Sequence, residues 1–258
     1  MKIKTLIATL FTIATITNTA IAAEQIKVGM SAEPYPPFSS IEASGKWVGW
    51  EVEIIGAVCG AAKLDCVITP VAWDGIIPAL NAKQIDMIMG SMSITEERMK
   101  AIDFSNKYYN TPAVVVADKG LAITPDKAGL KGKILGVQAS TTHATYAQAH
   151  FADVVAELKL YQTNDEIFQD LIAGRIDAMQ ADSIAMTDFV ASKSGAFFEV
   201  KGAVAHDTSI LGKGIGAGLR KGDDALRDKI NGAIDTIRSD GTYAEISKKY
   251  FSADIFGE

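Results

Sequence analysis

Two stretches of this chain follow one pattern. Leu80-Asn81-Ala82-Lys83-Gln84-Ile85-Asp86-Met87-Ile88 and Leu171-Ile172-Ala173-Gly174-Arg175-Ile176-Asp177-Ala178-Met179 each read as a helix end, a tight turn and a strand start. Leu, Ala, Ile and Asp recur at the same spacing in both. Chance likeness between two common units is one reading, and two lobes built alike is the other. Five residues beyond the shared Asp stand Ser91 and Asp182. Each would lie at the carboxyl end of its strand, where ligands of open α/β sheets bind. Two such lobes facing each other would set Ser91 and Asp182 across one cleft.

The rest of the chain alternates in the same way. Short apolar runs at 26–30, 67–71, 86–89, 114–117, 134–137 and 178–180 predict buried strands. Helical periodicity is expected over 50–62, 75–82, 223–238 and 242–250. Asn164 is expected to cap a helix that runs to Ala173, with Asp165 and Glu166 in its first turn. This order predicts an α/β fold with mostly parallel sheets.

The amino terminus reads as an export signal. Lys2 and Lys4 precede an uncharged apolar and threonine stretch from Leu6 to Ile16, and Ala20-Ile21-Ala22 then gives a small-x-small cleavage pattern. Cleavage is expected after Ala22 or Ala23, with residues 1–22 as the signal. A buried amino-terminal helix is the competing reading. No cysteine follows the site and no later run is long enough for a membrane span. The mature product is expected to be a soluble exported protein, in the periplasm. Cys59 and Cys66, the two cysteines, would then form a local disulfide. Two buried free thiols remain the alternative.

Composition removes other classes. Lys and Arg number 25 against 31 Asp and Glu, so no basic excess exists to neutralise phosphates, and nucleic acid is not an expected partner. Three His and two Cys are too few for a conventional zinc site, and neither metal nor cofactor is expected. The glycine-rich run Gly212 to Gly218 lacks the order of a dinucleotide loop and reads as a closely packed strand.

Several motifs point to one family. Ser91-Met92-Ser93-Ile94-Thr95-Glu96-Glu97-Arg98, then Asp103-Phe104-Ser105 and Tyr108, resembles the polar amino-acid-binding proteins of ABC importers, solute-binding protein family 3. Tyr35-Pro36-Pro37-Phe38, Gly49-Trp50-Glu51-Val52-Glu53, Trp73-Asp74-Gly75-Ile76-Ile77-Pro78 and Gly241-Thr242-Tyr243 match in the same order. The lysine/arginine/ornithine, histidine and opine binders are the most similar members. The resemblance implies a two-lobed periplasmic binding protein fold of type II. Residues 24–109 and 208–258 would form lobe 1 and residues 110–207 lobe 2, with two hinge strands between them and the ligand cleft there. It also implies a membrane permease as partner and a monomer. The Cys59 and Cys66 spacing matches the disulfide of the cationic amino-acid binders.

An α-amino acid demands particular partners. Arg98 offers a planar fork for a carboxylate, in the first turns of a helix opened by Thr95. A surface arginine paired with Glu97 or Asp103 is the competing reading. Ser91 and Ser93 offer hydroxyls and backbone N–H groups. Asp182 suits an ammonium, although it could instead cap the helix after it. In the family, the loop from Gly136 to His143 lines the second lobe, and Gln138, Thr141 and Thr142 are expected to contribute there. Many members have Gly where this chain has Ser140. His143 is expected at the solvent edge of a helix. Tyr35 and Trp73 match the aromatic pair that sandwiches the ligand side chain, a setting that attracts cations. Glu33 is one residue nearer Tyr35 than the usual acidic residue of cationic binders, and Gly90 stands where relatives often carry Ser.

The expected function is periplasmic capture of a polar amino acid or derivative, arginine-, lysine- or ornithine-like, for an ABC transporter, with no enzymatic step. A neutral polar amino acid is an alternative ligand. An exported dehydratase of the cyclohexadienyl type is an alternative function, with Glu33 as its acid.

Overall fold

The structure, a computed structural model, describes residues 25–257. The predicted signal and its cleavage site lie outside the described residues. Among the described residues twelve strands follow in order: β1 (Ile26–Ser31), β2 (Ser40–Ile41), β3 (Trp47–Val48), β4 (Cys66–Val71), β5 (Met87–Ile88), β6 (Asp103–Tyr109), β7 (Ala113–Asp118), β8 (Ile134–Gln138), β9 (Glu157–Tyr161), β10 (Ala178–Asp182), β11 (Phe198–Ala203) and β12 (Ile215–Leu219). β2 and β3 form a small ribbon, and the rest form two five-stranded sheets.

The first sheet has the order β4-β1-β5-β12-β6 and the second β11-β7-β10-β8-β9. β1 runs parallel to β4, with Ile26 opposite Cys66, and parallel to β5. β8 likewise runs parallel to β9 and β10. β12 runs antiparallel to β5 and β6, and β7 antiparallel to β10 and β11. The sheets are therefore mixed, where the sequence pattern predicts mostly parallel pairing. Connectivity supplies the reason. The chain leaves the first sheet at Tyr109 and enters the second at Ala113; it leaves that sheet at Ala203 and re-enters the first at Ile215. A strand that enters from the other sheet starts at the cleft end, where the parallel strands finish, so it must run against them.

Helices cover the outer faces. The helix Asp224–Ser239 buries Leu226, Ile230, Ala233, Ile234 and Ile237, a stripe at helical spacing. Its amino end is capped by Asp223, whose carboxylate accepts from the Leu226 N–H. It packs against the helix Trp50–Ala61, whose Trp50 is fully buried and donates its indole N–H to Ser247 Oγ at 3.0 Å. At the far end of that helix, Cys59 is disulfide-bonded to Cys66, the first residue of β4. The glycine-rich return is a buried strand, β12. Gly212 just before it has φ +87°, and a Cβ there would stand 2.4 Å from the Ile94 carbonyl oxygen.

Among the described residues no helix is long and apolar enough to cross a membrane. The helix Asn164–Ile172 is capped by Thr163 rather than Asn164, through a reciprocal pairing with Glu166. That frees the Asn164 amide to donate to Gln138 Oε1 at 2.9 Å.

Candidate ligand-binding site

The strand ends and loops of both sheets line one cavity. Glu33, Tyr35, Trp73, Gly90, Ser91, Ser93 and Arg98 reach it from the first sheet's side, and Gln138, Thr141, Thr142 and Asp182 from the second. All eleven residues singled out from the sequence therefore meet in one place.

Arg98 lies in the short helix Glu96–Met99, whose amino end is capped by Thr95. Its Nη1 donates to the Ser93 carbonyl at 3.0 Å, and its Nη2 lies 3.4 Å from the Ser140 carbonyl across the cleft. The guanidinium also sits over the Trp73 ring, 5.5 Å from its centre. Burial pushes its pKa down to about 10, with Asp182 pulling the other way, so it stays cationic at neutral pH. Neither surface partner considered for it is engaged with it: Glu97 pairs with Lys100, and Asp103 with Lys221.

Asp182 ends β10 and does not use its side chain to cap the next helix. One carboxylate oxygen accepts from the Tyr35 hydroxyl at 2.8 Å, and the other lies 3.3 Å from His143 Nε2. Burial, with the adjacent Asp182 charge, holds the Tyr35 phenol well above its usual range. Trp73 donates its indole N–H to the Ser140 carbonyl at 3.2 Å. Ser140 adopts φ +59°, a left-handed conformation that Gly tolerates more easily.

The remaining polar residues are committed in different ways. Thr141 caps the helix Thr142–His150: its hydroxyl accepts from the Ala144 N–H and donates to the Gln138 carbonyl. This leaves the first-turn N–H groups at Thr142 directed at the cavity end of the helix. Gln138 is braced by Gln162 and Asn164. Glu33 lines the cavity and accepts from the Ser31 hydroxyl at 2.6 Å. At Gly90 a Cβ would meet only ordinary contacts, so a serine would fit there.

Among the other lining residues, Glu51 and Gln180 are given no role by the sequence reading, and His143 is placed by it elsewhere. Glu51 is fully buried and accepts from the Ser91 N–H, the Ser91 hydroxyl and the Tyr108 hydroxyl. It thereby fixes Ser91 at φ +57°. Burial pushes its carboxyl pKa up, since no described Lys or Arg pairs with it. His143 is 8% exposed, not at a solvent edge as expected, because the second helical position turns it inward against Asp182. Gln180 is 1% exposed within β10.

Two mixed sheets, crossed twice by the chain, with a cavity lined from both at their strand ends, define a two-lobed binding protein of the type II periplasmic kind. Residues 26–253 match the model of bacterial extracellular solute-binding proteins, family 3, and the chain belongs to that family. It is 40% identical over 237 residues to the L-arginine-binding protein of Pseudomonas aeruginosa, covering 92% of this chain and 91% of that one. It is 39% identical over 240 residues to the histidine-binding periplasmic protein of Salmonella typhimurium, covering 92% of each. Among solved structures, a Salmonella typhimurium periplasmic binding protein of high arginine specificity superposes with a TM-score of 0.81, at 31% identity over 89% of this chain and 100% of that chain.

Proposed function

We propose that this protein captures a basic amino acid, of the arginine, lysine or ornithine type, in the periplasm and hands it to the membrane permease of an ABC transporter. The observation that carries the reading is the placement of opposite charges: Arg98 from the first sheet's side and Asp182 from the second's enter a single cavity, which Glu33 also lines. A ligand carboxylate would take the Arg98 fork and the N–H groups at Thr142. Its ammonium would take Asp182. Its side chain would lie between Tyr35 and Trp73 and end near Glu33. The names of the relatives, arginine- and histidine-binding, support the same ligand class.

Residues 24–109 and 208–258 would move as one lobe and 110–207 as the other, bending at the crossings near the two ends of 110–207. Contacts from both lobes to one ligand select the closed form, as in the hinge closure long described for periplasmic binding proteins. The work would be done by a monomer, without a covalent step. A dehydratase would need a companion base beside its acid; incubation with prephenate and a product spectrum checks that alternative.

Native mass spectrometry of the purified protein tests the reading. A retained mass that fits a basic amino acid and is lost on unfolding is expected; a retained acidic amino acid or sugar would overturn it.

A further inference from the structure

The first crossing between the sheets runs from Asn110 to Pro112, and it is held from both sides. β6 ends at Tyr109, which pairs with Ile215 of β12. At the other end, the Pro112 carbonyl accepts from the Ser183 N–H at 2.8 Å, and Thr111 Oγ1 lies 3.2 Å from Ser183 Oγ. Thr111 and Pro112 are therefore tied to the helix that follows β10. Asn110 lies beyond the last pair of the β6–β12 ladder. Its N–H is nonetheless engaged: it donates to the Ile255 carbonyl at 2.8 Å.

Ile255 belongs to the segment after the helix Thr242–Ser247, and its neighbours anchor that segment firmly. The Arg238 guanidinium stacks 3.3 Å from the centre of the Phe256 ring, and Lys107 Nζ lies 4.9 Å from the same centre. The Tyr243 ring meets Phe256 edge-on at 6.2 Å, and the Tyr243 hydroxyl donates to the Tyr108 carbonyl at 2.8 Å. Lys107 Nζ also donates to the Gly257 carbonyl at 3.5 Å. Gly257 has φ +68°, and a Cβ there would stand 3.4 Å from Asn110 Cβ. The segment's backbone thus lies directly against Asn110, while its one ring is clasped by residues of the first lobe.

This arrangement leaves the crossing little slack. Asn110 is held to the first lobe and Thr111 to the second, so the bend between lobes falls on the bonds between them. Releasing Asn110 would add a residue of loose backbone to the hinge. That freedom is gained mainly in the open form, because ligand contacts from both lobes hold the closed one. A looser hinge therefore favours the open form and weakens binding. We propose that Ile255–Gly257 is a strap on the first crossing, which keeps the hinge short and thereby supports ligand affinity. The strap rests on the lobe closure in the reading above and is independent of which amino acid binds.

Phe256→Ala and a chain ending at Asp254 test it, by hydrogen exchange, ligand-free small-angle scattering and arginine calorimetry. Exchange at the Asn110 amide should quicken about tenfold or more, while the β1 amides of Val28 to Met30 keep their protection. The ligand-free variants should be more expanded than wild type. Arginine affinity should fall about three- to tenfold, the scale of freeing about one backbone residue. Should Phe256→Ala not fold, Arg238→Gln, which removes only the stacked guanidinium, carries the same expectation. Unchanged exchange at Asn110, or faster exchange there with unchanged dimensions and affinity, overturns the strap. Equal loss of protection in β1 also overturns it, and reduces the segment to general packing of the first lobe. A wild type that binds no basic amino acid overturns the functional reading instead, and exchange and scattering still decide the strap.

Discussion

The Tyr35 hydroxyl lies 2.8 Å from Asp182 Oδ2 across 147 residues of sequence, and it joins the loop after β1 to the end of β10. It is a direct bond between the two sheets' sides of the cavity, made on the carboxylate assigned to the ligand ammonium. Removing it should weaken the closed form with or without ligand. Tyr35→Phe is expected to lower ligand affinity about fivefold to tenfold, as for one charge-assisted hydrogen bond. Small-angle scattering should show the ligand-free variant more expanded than the wild type. Unchanged affinity and unchanged dimensions would assign the bond no part in closure.

On the proposed reading, Glu33 would meet the ligand's far end. Its carboxylate is oriented by Ser31 and faces the cavity. A neutral side chain would leave it desolvated without a cation. Glu33→Gln should narrow the preference for basic over neutral amino acids by about 1–3 kcal/mol. Thermal shifts with arginine and glutamine measure this. A preference that survives intact would place the cation elsewhere.

Glu51 has a pH signature. Burial raises its carboxyl above the ordinary 4.5, so the folded protein holds this proton more tightly than the unfolded chain. Its contribution is most favourable below that ordinary value and is lost as pH rises through the folded value. Glu51→Gln does not titrate. The variant's thermal midpoint, relative to wild type, should therefore climb as pH rises above the ordinary carboxyl value of 4.5. Parallel curves would show that Glu51 titrates normally.

The disulfide closes a short loop between Cys59 and Cys66. Replacing both by Ala should cost about 2–3 kcal/mol in denaturant unfolding, the chain-entropy value for such a loop. Thiol titration of denatured, unreduced protein should find no free thiol. Two reactive thiols would contradict the pairing.

Part of the site is legible in local rules, and the roles of Arg98, Tyr35, Trp73, Gln138, Thr141 and Thr142 follow from the family resemblance. Thr95 opening a helix that carries Arg98 is capping chemistry, visible in sequence, and Ser91 and Asp182 follow from the repeated helix–turn–strand unit. The unread parts depend on tertiary direction. Glu51 in a first helical turn has the same sequence signature as a solvent-facing acid, and only packing turns it under Ser91. His143 is indistinguishable in sequence from any helical His until Asp182 is placed beside it. Gln180 did leave a signal: an amide inside an otherwise apolar buried strand needs a partner. The antiparallel strands β7 and β12 were hidden because direction follows from which lobe the chain enters, which no local pattern records.

The most direct test is a calorimetric panel of arginine, lysine, ornithine, glutamine and glutamate against wild type and Arg98→Ala. Among the described residues that line the cavity, Arg98 is the one Lys or Arg, and its fork meets the cavity from the first sheet's side. Wild type should bind the basic amino acids most tightly and glutamate most weakly, and Arg98→Ala should lose about 3–5 kcal/mol of binding while remaining folded, because the ligand carboxylate would be buried unpaired. Near-normal affinity in Arg98→Ala, or a wild type that prefers glutamate, would contradict the account.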